Sequence, residues 1–207
     1  LPRINIVISR PLLDKLDKMF YWLASREVPG VGINEGAPAV SQKTVDASFT
    51  LPPDELGRET MRLFRLGPQL NIRTVFLFNL PFCVLSREDI EELMAARAIQ
   101  SGCGVRNGAS ILFDVNGGLI TCNHLTDYPI CDSETIREIF ETNSLAEFWD
   151  SDKLVSIRSA SCMYRSDYCK DCEYWDMCAG GCPIFWSHYD PQQFIRGIKR
   201  KEVIMQR

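Results

Sequence analysis

Cys169-Lys170-Asp171-Cys172-Glu173-Tyr174-Trp175-Asp176-Met177-Cys178-Ala179-Gly180-Gly181-Cys182 is the stretch on which the reading of this chain turns. Its thiols are spaced C-x2-C-x5-C-x3-C. Four thiols packed this closely suit a soft metal or an iron–sulfur cluster. A C-x2-C pair brings two thiolates to one metal across a tight turn. Gly180 and Gly181 let backbone pass close to a bulky group, because glycine has no Cβ to clash. Zinc sites usually show two C-x2-C knuckles or a Cys/His mixture. Here one knuckle is followed by a longer irregular pair. Spacing favours metal or cluster over a disulfide knot and leaves iron–sulfur and zinc unseparated.

The rest of the composition narrows the classes. A chain of 207 residues with ordinary hydrophobic and charged content is enough for one large or two small domains. A net charge of −4 without a basic stripe argues against a nucleic-acid partner. No apolar run is long enough to span a bilayer, and no signal peptide opens the chain. The nine cysteines are an odd number, which argues against a fully paired disulfide framework. Reduced thiols without a secretory signal point to the cytoplasm.

Upstream, the pattern is α/β. Ile4–Ser9 is apolar and β-branched, as in a buried strand. Pro11 can open the next helix, in which Leu12, Leu13, Leu16, Met19, Phe20 and Leu23 recur at helical spacing. Pro29-Gly30 stops it, and Val31–Asn34 reads as a second strand. Strand, helix, strand is a βαβ unit, which builds parallel sheet. A long Gly- and Ala-containing loop runs to about residue 50. A helix opens at Pro52-Pro53-Asp54, with Leu56, Met61, Leu63, Phe64 and Leu66 along it. Thr74–Phe78 is the most β-prone run, and an extended peptide could add to its edge through the backbone around Leu77. Ser86-Arg87-Glu88-Asp89 caps a helix expected from Glu88 to about Ile99.

From Cys103 the composition changes. Ile111–Val115 and Leu119–Cys122 flank Asn116-Gly117-Gly118, a hairpin signal that predicts a type I′ turn. Helices are expected over 133–142 and from Ser144 to Trp149. Arg196, Lys199, Arg200 and Lys201 read as a solvated helix face.

Taken together, Cys103…Gly117-x4-Cys122 and the C-x2-C-x5-C-x3-C of Cys169–Cys182 resemble the SPASM domain, the auxiliary-cluster domain of many radical S-adenosylmethionine enzymes. Shared details are the Asp114-x-Asn116-Gly117 hairpin, the Ser144-Leu145-x-Glu147-Phe148-Trp149 helix and Gly180-Gly181-Cys182-Pro183. The resemblance covers about 101–190. It implies an α/β architecture in two domains. Residues 1–100 would be the last strand–helix units of a partial (β/α) barrel. Residues 101–207 would form a small α+β cysteine-rich domain built on a β-hairpin. It further implies one or two auxiliary [4Fe–4S] clusters. Cys103, Cys122 and Cys182 would bind the first, and Cys169, Cys172 and Cys178 the second.

Neither ligand set is complete. Cys131 or Cys162 could complete the first, or that site could be open to a substrate; Asp190, His188, a substrate or exogenous ligand, or a residue beyond Arg207 could complete the second. The family's C-x3-C-x2-C, which binds the cluster chelated by S-adenosylmethionine, does not occur in this sequence. The resemblance therefore implies the C-terminal part of a longer enzyme, inactive alone, with the N-terminal barrel half, S-adenosylmethionine and a further [4Fe–4S] cluster supplied elsewhere. The expected substrate is a peptide or protein, and no catalytic residue is singled out. Expected activities are thioether or carbon–carbon crosslinking of a ribosomally made peptide, or formylglycine formation by an anaerobic sulfatase-maturating enzyme. A zinc-binding interaction domain is the non-enzymatic alternative. Tyr174, Trp175 and Trp186 are read as core aromatics, or as hydrogen-bonding neighbours of the cluster sulfurs.

Overall fold

The computed structural model describes residues 4–41, 44–77, 80–99, 103–109 and 111–197. It is a mixed α/β structure with a three-stranded parallel sheet. Strand β1 (Ile4–Ile8) lies beside β2 (Gly30–Glu35), and β2 beside β5 (Arg73–Phe76), all parallel. Alternation decides which face is buried. Ile6, Ile8, Val31, Ile33, Thr74 and Phe76 are all at most 4% exposed, whereas Val7 is 41% exposed.

A 3₁₀ segment, Arg10–Lys15, leads into helix α1 (Leu16–Ser25). The helix expected from Pro11 thus begins as a tighter turn, without buried side chains, and becomes α-helical at Leu16. Helix α2 (Pro53–Gln69) has Pro53 in its first turn, with Asp54 and Glu55 set favourably against the helix dipole. Leu16, Phe20 and Leu23 of α1 join Leu56, Met61, Leu63 and Phe64 of α2 in the core shared with the sheet. Each such side chain contributes about 1.5–3 kcal/mol through burial. Between β2 and α2, the long loop contains a small antiparallel pair, β3 (Ala39–Val40) with β4 (Val45–Asp46).

Two expectations are corrected here. Helix α3 (Arg87–Ala95) starts where Ser86 accepts the Asp89 N–H, but it ends well before Ile99. Arg97 takes a left-handed conformation (φ 50°), and the Ala98 N–H closes back on Leu93. Ile99 then bridges Phe76 in parallel, and the Phe76 N–H donates to the Ala98 carbonyl. The outer edge of β5 is therefore already engaged, and the Leu77 N–H donates inward to the Ile33 carbonyl. Peptide addition there does not fit this geometry. Phe78, the expected end of that strand, lies outside the described residues, as do Lys199, Arg200 and Lys201.

Downstream, α4 (Gly104–Asn107) precedes a hairpin of β6 (Leu112–Phe113) and β7 (Leu119–Ile120). Its loop is not type I′. Asp114 Oδ1 accepts the N–H groups of Asn116 (2.7 Å) and Gly118 (2.9 Å), and Gly117 alone takes positive φ (+82°). This is a three-residue turn with a left-handed glycine, organised by the aspartate. Cys131 adds an antiparallel bridge to Leu119. Helix α5 (Ser133–Glu141) is capped by Asp132, which accepts the Thr135 N–H. Helices α6 (Leu145–Trp149) and α7 (Asp152–Ser161) follow. Leu119, Ile130, Ile136, Ile139 and Leu154 form a second core. The chain then returns: Cys182 and Phe185 are buried in the first core, against the sheet and its helices.

Candidate metal centre

The thiols are positioned by ordinary local features. Cys103 immediately precedes α4, and Cys122 follows the hairpin and opens the 3₁₀ turn Asn123–Leu125. Cys169 closes the 3₁₀ turn Asp167–Cys169, and Cys178 ends the short helix α8 (Trp175–Cys178). None of the nine cysteines is in a disulfide, so no disulfide knot forms.

The segments carrying these thiols are linked across the fold: Arg106 Nη1 of α4 donates to the Asp176 carbonyl in α8 at 3.3 Å, and Tyr128 Oη, after the hairpin, donates to the Ser41 carbonyl beyond β3 at 2.8 Å. A thiolate at Cys103 is close enough to raise the pKa of both Cys122 and Cys182, and so is the carboxylate of Glu35, the last residue of β2. Cys103, Cys122, Cys182 and Glu35 thus share one neighbourhood at the C-terminal end of a parallel sheet, where α/β proteins commonly bind ligands. Burial is the main reason that the Cys182 thiol is pushed up to about 12, Glu35 and Cys103 adding to it. The N–H groups of Ile184 and Phe185 act in the opposite direction. Burial also raises Cys122, opposed by the His124 N–H.

Cys178 has the most developed environment. Its Sγ accepts the Phe82 N–H at 3.3 Å, and the Gly180 and Gly181 N–H groups also favour its thiolate. Burial pushes the thiol up, and Cys172 adds to this. Ala179, Gly180 and Gly181 are all left-handed, and this turn folds the chain back over Cys178, the Gly181 N–H donating to the Cys178 carbonyl at 2.9 Å. Cys172 is exposed and Cys169 buried.

Sulfurs withdrawn from water yet approached by amide N–H groups fit iron–sulfur ligation. Hydrogen bonds to sulfur and solvent exclusion are the levers that tune such clusters. Among the described residues no three His, Cys, Asp or Glu side chains are drawn together to hold a single metal ion.

The other candidates have structural partners. Asp190 is exposed and its carboxylate accepts the Gln192 and Gln193 N–H groups, capping the helical residues 191–197. Cys131 sits by the second core, with Lys153 and Asp132 as the charges around its thiol. Cys162 is exposed, and His188 packs edge-on against Tyr189. Trp186 Nε1 donates to the Gly180 carbonyl rather than to sulfur. Tyr174 meets Phe82 edge-on beside the first core, as a core aromatic does, whereas Trp175 lies against the half-exposed Tyr164.

Two residues absent from the sequence-based candidates stand at the centre. Glu35 was signalled only by its place at the end of a parallel strand. Arg165, in the link between α7 and Cys169, lies within electrostatic reach of Cys103, Cys162, Cys169 and Cys182.

No protein-family model and no curated protein matches the chain. Among solved structures it is similar to native anSMEcpe with bound AdoMet (TM-score 0.57, 12% identity), over 97% of this chain and 53% of that one. It is likewise similar to native anSMEcpe with bound AdoMet and Cp18Cys peptide (TM-score 0.57, 15% identity), over 92% and 49%. For a histidine-tagged form of anSMEcpe with bound AdoMet the TM-score is 0.58 at 13% identity, over 99% and 53%. The chain spans about half the length of these solved chains, and what it shares with that half is the fold.

Proposed function

We propose that this chain is the C-terminal portion of a radical S-adenosylmethionine enzyme that modifies a peptide or protein, and that its part is to carry auxiliary iron–sulfur clusters. Residues 1–100 are the last strand–helix units of a partial barrel, and residues 101–207 are the auxiliary-cluster domain folded back onto them. The observation that supports the reading is that Cys103 and Glu35 act electrostatically on both Cys122 and Cys182, which come from distant segments, while Arg106 ties the helix after Cys103 to the Asp176 carbonyl of the cysteine-rich segment at 3.3 Å. The amide cradle at Cys178 supports a second cluster held by Cys169, Cys172 and Cys178.

Bound clusters would supply electron acceptance and a place to anchor substrate. The chain's own residues bury Cys169 and Cys182 and direct amide donors at Cys178 and Cys182. Glu35 places a carboxylate where the strand ends open toward the thiols. The cluster chelated by S-adenosylmethionine belongs to the portion of the enzyme outside this chain. The similar solved structures hold AdoMet and, in two cases, a peptide. This fits a peptide-crosslinking maturase and a sulfatase-maturating enzyme equally. A zinc-binding interaction domain is the non-enzymatic alternative, and metal analysis distinguishes the two. Among the described residues no helix is long and apolar enough to cross a membrane. Nine cysteines without a disulfide favour a reducing compartment, the cytoplasm.

The test is iron and acid-labile sulfide content after anaerobic purification, read with the visible spectrum. Several equivalents of both per chain are expected. Zinc without sulfide would refute the reading.

A further inference from the structure

We propose that Arg165 is the charge-balancing cation shared by the two thiol sets, and that it holds the reduction potential of their clusters above the value they would have without it. The inference rests on the cluster-binding reading above.

Arg165 is placed by packing. Its stem crosses Gly180 so closely that a Cβ on Gly180 would lie 2.3 Å from Arg165 Cγ. One end of the guanidinium is tied back, since Nη2 donates to the Ser161 carbonyl at 3.1 Å. Nε is buried and has no hydrogen-bond partner among the described residues. Among those residues no carboxylate pairs with Arg165 either. The charges it faces are sulfurs: Cys103 and Cys182 of the first set, Cys169 of the second, and Cys162.

A half-buried cation without a counter-anion is costly. Arginine does not escape that cost by losing its proton. Thiolates and the clusters they carry are anionic, so they complete the charge pair that the polypeptide leaves open. Reduction moves one electron from the reductant to a cluster and makes or breaks no bond. It adds one negative charge near the guanidinium, so the cation stabilises the reduced form more than the oxidised form. Its stem lies against Gly180, between Cys178 of one set and Cys182 of the other, which puts one charged side chain within reach of both clusters.

The experiment uses the full chain, reconstituted anaerobically with ferrous iron and sulfide, and reads iron content and midpoint potential in an EPR-monitored redox titration. R165M keeps the stem over Gly180 and removes the charge. Its reduction equilibrium should fall at least tenfold, a shift of about 59 mV to more negative potential for one electron. R165K should stay near the parent midpoint. A fully loaded R165M with an unmoved midpoint, or R165K shifted as far as R165M, would overturn the proposal and leave Arg165 a packing strut. If R165M does not load, recovery of loading in R165K supports the role of charge, and failure of that recovery overturns it. Absence of iron and sulfide from the parent chain would overturn the cluster reading itself, and this inference with it.

Discussion

Replacing Phe185 with alanine tests whether the cysteine-rich segment is anchored in the first core. Phe185 is 1% exposed, lies three positions after Cys182, and belongs to the buried cluster that also holds side chains of the sheet, α1 and α2. Its N–H donates to the Cys182 carbonyl (3.1 Å) and also favours the Cys182 thiolate. Truncating a fully buried phenylalanine removes its transfer free energy and leaves a cavity, together about 3–5 kcal/mol. With a urea dependence of about 2 kcal/mol per molar, the unfolding midpoint should drop by about 2 M. The assay is urea unfolding followed by circular dichroism on the anaerobically purified chain, with Phe140→Ala as control. Phe140 is 52% exposed, so its truncation should change stability by less than about 0.5 kcal/mol. A Phe185→Ala midpoint within about 0.5 M of the parent, on the same scale, would show that the segment does not share the first core, and the anchoring argument would fail.

Asp114→Ala removes the acceptor of two backbone N–H groups in the hairpin loop and should destabilise the second core by about 2 kcal/mol. Hydrogen exchange at Asn116 and Gly118 should speed up while exchange in β1 and β2 stays slow; equal acceleration in both regions would count against a local role. The Asp132 carboxyl is held below its usual range, chiefly by the Thr135 N–H that it accepts in capping α5. The sign follows: a lowered folded pKa gives stability that is present above the unfolded value of 3.8 and is lost as pH falls through the folded one. Fraying of α5 should therefore begin in acid below that value and should be absent from Asp132→Asn, whose amide cannot titrate; identical acid profiles would refute the assignment.

Much of the parallel sheet was legible because Ile6, Ile8, Val31 and Ile33 have to face a core, and the helix between them shows helical spacing. The Ser86 cap was legible for a similar reason, since a side chain and an amide three residues apart suffice to make it. The end of α3 was not. Arg97 adopts a left-handed conformation that glycine would have advertised and arginine does not. The hairpin turn was misread because Asn116-Gly117 carries the familiar signal while the Asp114 side chain organises the loop. The cysteine sets could be named from spacing and resemblance. Glu35 and Arg165 could not, because they reach the thiols from separate segments, and no local pattern records which charges long-range packing brings together.

The return of Cys182 to the neighbourhood of Cys103 and Cys122 has a consequence for biogenesis. On the cluster reading, the first ligand set does not exist until the hairpin has formed and the last segment has docked beside the sheet. Iron delivery then becomes a checkpoint at the end of folding, and an immature chain offers the loading machinery only scattered thiols. The brown colour of a preparation would report correct tertiary structure as well as iron supply. Damage by oxygen would act like cutting a stitch, freeing two distant stretches of chain at once and marking the molecule for turnover.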